Sequence, residues 1–220
     1  MTGRLAPFIA GAIALGWPAS LARAQSAPRI ALRPFVEVSG ERFAATQSFN
    51  ATFGQSVEPL YGGGLDVTFR DRYFVDLAAS RFKKTGDQVF VNNSQVFHLG
   101  LPMTATLTPV ELIGGYRFHP RLHRQPIAWL IPYAGGGVGW YGYQQTSAFA
   151  QPSENIDTRK AGVVVIGGAE FRVYRWIGIA GDVVYTHVPG ILGSDPSVSH
   201  AFAEDDLGGV AGRFRVIVGR

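Results

Sequence analysis

Four groups of residues have types and spacings that chemistry could use. Gly137-Val-Gly-Trp-Tyr-Gly142 matches, letter by letter, the glycine pattern that cradles a dinucleotide pyrophosphate. That chemistry needs a helix to open at the third glycine, so that backbone N–H groups point at phosphate. Tyr143-Gln-Gln-Thr146 follows with no helical pattern, so the glycines read as a strand that neighbours approach closely. His119 and His123 are four apart, but Pro120 breaks the helix that would bring them to one face, and no metal site is expected. His187 becomes a general base only beside a nucleophile and an acid. Its neighbours are Tyr185, Thr186 and Val188; Ser194, Ser197 and Ser199 lie in a polar stretch beyond and read as solvated. Glu204-Asp205-Asp206 reads as solvated loop charge. The expectation is a protein with no catalytic residue, no cofactor and no metal.

More regular than any of these is the placing of charges at every second position among apolar residues. In Ala161–Val188, one face carries Val163, Val165, Ala169, Phe171, Val173, Ile177, Ile179, Val183 and Tyr185, and the other Glu170, Arg172 and Asp182. Period-two alternation marks β-strands, and Tyr174-Arg-Trp176 is the turn between two of them. Similar runs span residues 29–43, 60–70, 73 to about 85, 104–118, 128–143 and 208–220. Both faces of 128–143 carry bulky residues, so its register stays open.

Eight strands result. The connections alternate between short ones (71–72, 119–127, 174–176) and long polar ones (44–57, 86–103, 144–158, 189–205), with Val89–Val91 able to extend a strand. An even strand number with alternating short and long connections is the signature of an up-and-down membrane barrel. The fold class expected is therefore all-β: an eight-stranded antiparallel transmembrane β-barrel.

Composition agrees with export. Arg4, an uncharged run from Leu5 to Trp17 and Ala22-Arg-Ala24 read as a signal peptide over 1–24, leaving 25–220 as one barrel domain. The apolar run falls short of the ~20 residues a spanning helix needs. Removing Arg4 and Arg23 lowers the net charge from +4 to +2, and no basic block suggests nucleic acid. The chain has no cysteine, so an exported fold must hold without disulfides.

If the apolar faces meet lipid, the lumen collects Glu37, Asp66, Asp76, Glu111, Glu170 and Asp182 against Arg33, Arg70, Arg117, Arg172, Arg213 and Arg215. Six acids facing six bases would satisfy the pairing that buried charge requires, and arginine suits bidentate contacts. Glu170, Arg172 and Asp182 should then pair with neighbours such as Arg213. Aromatics near strand ends, among them Tyr61, Tyr73, Trp129, Trp140 and Trp176, would form interface girdles.

Pro132-Tyr-Ala-Gly-Gly-Gly-Val-Gly-Trp140, Gly167-Gly-Ala-Glu-Phe-Arg172 and Asp182-Val-Val-Tyr-Thr-His187 resemble segments of the small eight-stranded bacterial outer-membrane barrels, which include the OmpA transmembrane domain and the OmpW-like proteins. The resemblance implies an outer-membrane location, contact with membrane lipid and lipopolysaccharide, and the barrel assembly machinery as a partner. Such barrels usually end in an aromatic residue; here the last aromatic, Phe214, is set back from the terminus. The function it implies is non-enzymatic: envelope structure, surface recognition through the long loops by a partner the sequence does not identify, or narrow passage of small molecules. Two alternatives are a lipid A-modifying enzyme using His187 and a soluble periplasmic lipid-binding barrel.

Overall fold

The computed structural model describes residues 30–92, 95–119, 121–122, 125–126, 129–147, 155–193 and 197–219. The proposed signal peptide, His123 and Ser194 lie outside the described residues. The elements are β1 (Ile30–Phe43), α1 (Thr46–Phe53), β2 (Val57–Phe69), β3 (Tyr73–Asn92), β4 (Gln95–Arg117), β5 (Arg121–Leu122), β6 (Gln125–Pro126), β7 (Leu130–Ser147), β8 (Ile156–Tyr174), β9 (Ile177–His187), α2 (Val198–Ala201) and β10 (Gly209–Val218). No described helix is long and apolar enough to cross a membrane.

Eight strands close into a ring in the order β1-β10-β9-β8-β7-β4-β3-β2, all antiparallel, while β5 and β6 form a separate two-residue ladder. Closure comes from β1 pairing with β10, with Phe35 opposite Ile217 and Phe43 opposite Gly209. A closed ring has no edge, so its backbone groups pair within the sheet. Both described ends, Ile30 and Gly219, lie at the rim that carries the short turns.

Alternation along each strand is read by burial with the polarity of an ordinary soluble barrel reversed. On β3, Asp76 is 1% exposed while its neighbours Val75 and Leu77 are 37% and 52% exposed. On β1, Arg33, Phe35, Glu37, Ser39 and Glu41 face inward, and Leu32, Val36 and Val38 face out. The register of β7 places Ile131, Tyr133, Tyr141 and Tyr143 inside and Trp140 outside. Its glycines let bulky neighbours in: a Cβ on Gly139 would stand 2.6 Å from the Tyr141 ring. No helix opens at Gly142, which lies mid-strand.

The structure departs from the sequence expectation at the turns and loops. The first hairpin turns on Arg70 and Asp71, both at positive φ (50° and 58°), one residue earlier than expected. Two left-handed residues form the turn whose twist matches the flanking strands. Arg70 is thereby exposed in the turn and is not a luminal base. Most of 86–103 is strand. Here β3 and β4 stay paired out to Asn92 opposite Gln95, with Val91 opposite Val96 and Phe90 opposite Phe97. These β-branched and aromatic cross-strand pairs carry the ladder on past the polar residues. Likewise β7 and β8 extend to Gln145 opposite Ile156.

The segment 44–57 contains α1, which sits on the mouth at the long-loop end. Phe49 stacks on Phe43 at 4.2 Å between ring centroids and joins a buried cluster with Leu60, Phe82, Leu107 and Tyr141. The residue before the helix, Ala45, offers no capping side chain. Glu204 supplies the cap from the adjoining segment between β9 and β10, accepting from the backbone N–H groups of Gln47 and Ser48, both at 2.9 Å, and from the Ser48 hydroxyl at 2.7 Å. A carboxylate there satisfies otherwise unpaired donors and suits the helix dipole. The segment 189–205 also holds a short helix, α2, capped by Ser197.

At its C-terminal end α1 lies against β3, where Gly86 makes room: a Cβ there would strike the Thr52 carbonyl and stand 2.7 Å from Phe53 Cδ1. Gly86→Leu should therefore displace α1 while leaving the barrel closed. The expected readouts are faster proteolysis within 44–57 and a loss of about 1–3 kcal/mol in urea unfolding, the range for overpacking.

Candidate functional site

The inward faces assemble a stack of charged clusters inside the ring. Nearest the short-turn rim, Arg33 Nε donates to Asp66 Oδ1 at 2.9 Å and Arg33 Nη1 to Glu170 Oε1 at 2.9 Å. Arg117 pairs with the same Glu170 and donates to the Thr68 hydroxyl at 3.2 Å. Thr68 in turn donates to Asp66 at 2.7 Å.

The next layer centres on Arg215. Its Nη1 donates to Asp76 Oδ2 at 2.7 Å and its Nη2 to the Tyr133 hydroxyl at 2.8 Å, and its Nε lies 2.8 Å from Asp182 Oδ2. The guanidinium also sits over the rings of Phe35 and Tyr133, at 5.2 and 5.4 Å. Two residues earlier on β10, and therefore on the same face, Arg213 donates to Glu111 Oε2 at 2.8 Å and lies 3.5 Å from Glu37 Oε2. Tyr141 donates to the other oxygen of Glu111 at 3.0 Å. In the ring β10 and β4 stand opposite, so Arg213–Glu111 crosses the lumen.

Nine of the ten residues assigned to a luminal network from sequence lie inside: Glu37, Asp66, Asp76, Glu111, Arg117, Glu170, Asp182, Arg213 and Arg215 are all buried. Arg172 is the exception. It has the inward register, but its side chain is 48% exposed at the rim, 3.9 Å from Glu170, beside an irregularity in the β8–β9 ladder. The partners differ too: Asp182 pairs with Arg215, and Glu170 with Arg33 and Arg117.

The expected balance of six acids and six bases is also corrected. Among the described residues, eight inward carboxylates are buried against four arginines, because Glu41 and Glu58 join the acids while Arg70 and Arg172 leave the bases. Glu58 takes Lys84 at 2.5 Å, and Glu41 accepts from Thr186 at 3.1 Å. Continuing the inward period back from Asp66 through Gly64, Gly62 and Leu60 reaches Glu58. Tyr133 and Tyr141 carried no comparable signal, since both faces of β7 hold aromatic residues and glycine.

His187 lies at the long-loop rim, with Nδ1 2.7 Å from Asp206 Oδ2. Asp206 Oδ1 also accepts from the backbone N–H groups of Val188 at 2.7 Å and Gly208 at 2.8 Å. Burial pushes the Asp206 carboxyl up, but these two backbone donors and His187 outweigh it and hold the group below the ordinary aspartate range. The pair thus pins both ends of the loop between β9 and β10. Ser199 receives Gly193 N–H at 2.9 Å and lies 3.0 Å from the Ser197 hydroxyl. Among the described residues no serine bonds to His187, and no group of three potential ligands could hold a metal ion. His119 is exposed.

No protein-family model and no curated protein matches the chain. Solved structures that resemble it include the N-terminal β-barrel domain of Pseudomonas aeruginosa OprF, with a TM-score of 0.46 and 14% identity over 86% of this chain and 97% of that one. Ail, the attachment invasion locus protein of Yersinia pestis, scores 0.47 at 12% identity over 87% and 98%. Neisserial surface protein A scores 0.45 at 8% identity over 89% and 98%.

Arg215→Met should leave Asp76 and Asp182 without their base and cost about 3–5 kcal/mol in reversible unfolding, whereas Arg172→Met should cost less than about 1 kcal/mol. Because the Asp206 carboxyl is depressed in the folded state, its contribution is present above the ordinary aspartate pKa of about 3.9 and is lost as pH falls through the lower folded value. Hydrogen-exchange protection at Val188 and Gly208 should hold at pH 5 and fall only as the Asp206 carboxylate is protonated below that, and Asp206→Asn should lower the protection at pH 5 but make little difference once the wild-type carboxylate is protonated.

Proposed function

We propose that this chain is an integral outer-membrane β-barrel whose lumen is plugged by paired side chains and whose work is done by the structured cap at its long-loop end. One observation carries the reading: the wall is apolar outside and charged inside. Large apolar side chains stand 36–68% exposed around the barrel, including Val36, Leu77, Val165, Phe171 and Val183, while eight carboxylates are buried within. In water such a wall would be a wide exposed apolar surface; in lipid it is the solvated surface. Aromatic residues cluster at the short-turn end, where Tyr73, Tyr116 and Phe118 pack in edge contacts and Trp129 stacks on Phe171. That placement suits a membrane interface.

Eight strands enclose a space that side chains fill, and the clusters around Arg33, Arg215 and Arg213 tie facing walls together. Surface recognition and envelope structure are thus better supported than passage of solutes. What supports a non-enzymatic role is that the His187–Asp206 pair is used as a loop anchor, with no nucleophile bonded to it among the described residues.

Membranes washed with alkaline carbonate should retain the protein, and unheated samples should migrate faster on a denaturing gel than boiled ones. Recovery in the soluble wash would favour a periplasmic barrel and defeat this reading. Reconstituted into planar bilayers, the wild type should give no stepwise conductance. Unchanged lipid A in cells expressing it would count against an enzyme.

A further inference from the structure

We infer that the cap holds a binding site for a neutral sugar, a mono- or disaccharide without charged groups. This rests on the outer-membrane reading and names the ligand class for the recognition it proposes. Between α1, α2 and the upper ends of the β3–β4 and β7–β8 hairpins lies a cavity of about 530 Å³, within the range of small-ligand pockets. Its floor belongs to the buried apolar cluster, through Phe49 and Tyr143.

The chemistry of the lining is selective. Among the described residues, not one lining side chain is charged, although the lumen below is rich in carboxylates and Lys84 stands behind the Phe53 ring. Aromatic and aliphatic surface, from Phe49, Phe53 and Ile191, alternates with hydroxyl and amide groups from Thr52, Gln88 and Asn155. Several polar groups are already engaged: Ser48 with Glu204, Tyr143 with Gln145, and Ser197 with Ser199. Thr52 is not. Its residue is only 8% exposed, it lines the cavity, and its hydroxyl has no hydrogen-bond partner among the described residues. Gln88 also lines the cavity, and its amide likewise has no partner among them.

A hydroxyl that opens onto a cavity and has no protein partner can take one from the occupant. An acyl chain would cover these hydroxyls and amides without pairing them, at a cost of about 1–3 kcal/mol for each buried group. Among the described lining residues an anion would find no base, and a cation no acid. A sugar meets both halves of the surface, laying its C–H face on the phenyl rings and its hydroxyls against Thr52 and Gln88.

The test is calorimetric titration of the full chain in phosphatidylcholine nanodiscs with maltose, lactose, cellobiose and trehalose as separate probes. At least one should bind saturably at one site. Thr52→Val, which keeps the shape and removes the hydroxyl, should weaken binding about tenfold, and Gln88→Leu should do the same. Unaltered affinity in both variants would overturn the site. So would absence of saturable binding by all four sugars up to about 10 mM, about ten times a weak Kd of 1 mM. Tighter binding of a sulfated disaccharide or of dodecanol would overturn the ligand class. Insertion is scored separately by heat-modifiable migration, so failure to insert counts against the membrane reading and failure to bind counts against the pocket.

Discussion

Arg215 and Arg213, on the strand that closes the barrel, hold the rest of the interior in place. They lie two residues apart on β10 and so project inward together. From there they reach β3 and β9 through Asp76 and Asp182, and β4 and β1 through Glu111 and Glu37. The last strand must pair with the first for the ring to exist, and the same strand carries the cations that neutralise acids from four other strands. Backbone closure and charge compensation are thus completed together. Either alone would be costly: an open edge leaves a row of unpaired backbone groups, and a ring closed around unpaired carboxylates buries charge.

A closed ring also explains why the wall can be reversed. Hydrogen bonding between strands does not depend on which face is apolar, so once the backbone is satisfied the side chains are free to follow the solvent on each side. The outward face is apolar and the inward face charged because pairing across a narrow lumen is possible there. The rings of Phe35 and Tyr133 around Arg215 add favourable cation contacts and exclude water from the pairs.

The long-loop end is built differently. There the chain leaves the sheet and relies on contacts between loops distant in sequence. Glu204 caps α1, Asp206 ties Val188 to Gly208, and Ser199 holds Gly193. Carboxylates that are merely surface charge in many loops are here the fasteners of a cap. That cap gives the barrel a shaped pocket whose described lining is uncharged.

Period-two patterning was enough to identify the strands, their antiparallel succession and the inward position of most charges, because a strand assigns faces by alternation alone and needs no distant partner. The same pattern could not orient β7, where glycine and aromatic residues occupy both faces; the pairing of its neighbours decides that. Nor could it assign partners. Arg213 and Arg215 were both visible as inward bases, yet which acid each meets depends on ring order and strand stagger. Helix α1 escaped notice because its cap comes from Glu204, 157 residues away. The long β3–β4 hairpin escaped because its polar residues concealed apolar cross-strand pairs. What the sequence determined by itself was local: which residues alternate, and therefore which share a face. What only the tertiary structure decided was every contact that crosses the lumen or joins two loops, since those distances are set by closing the ring.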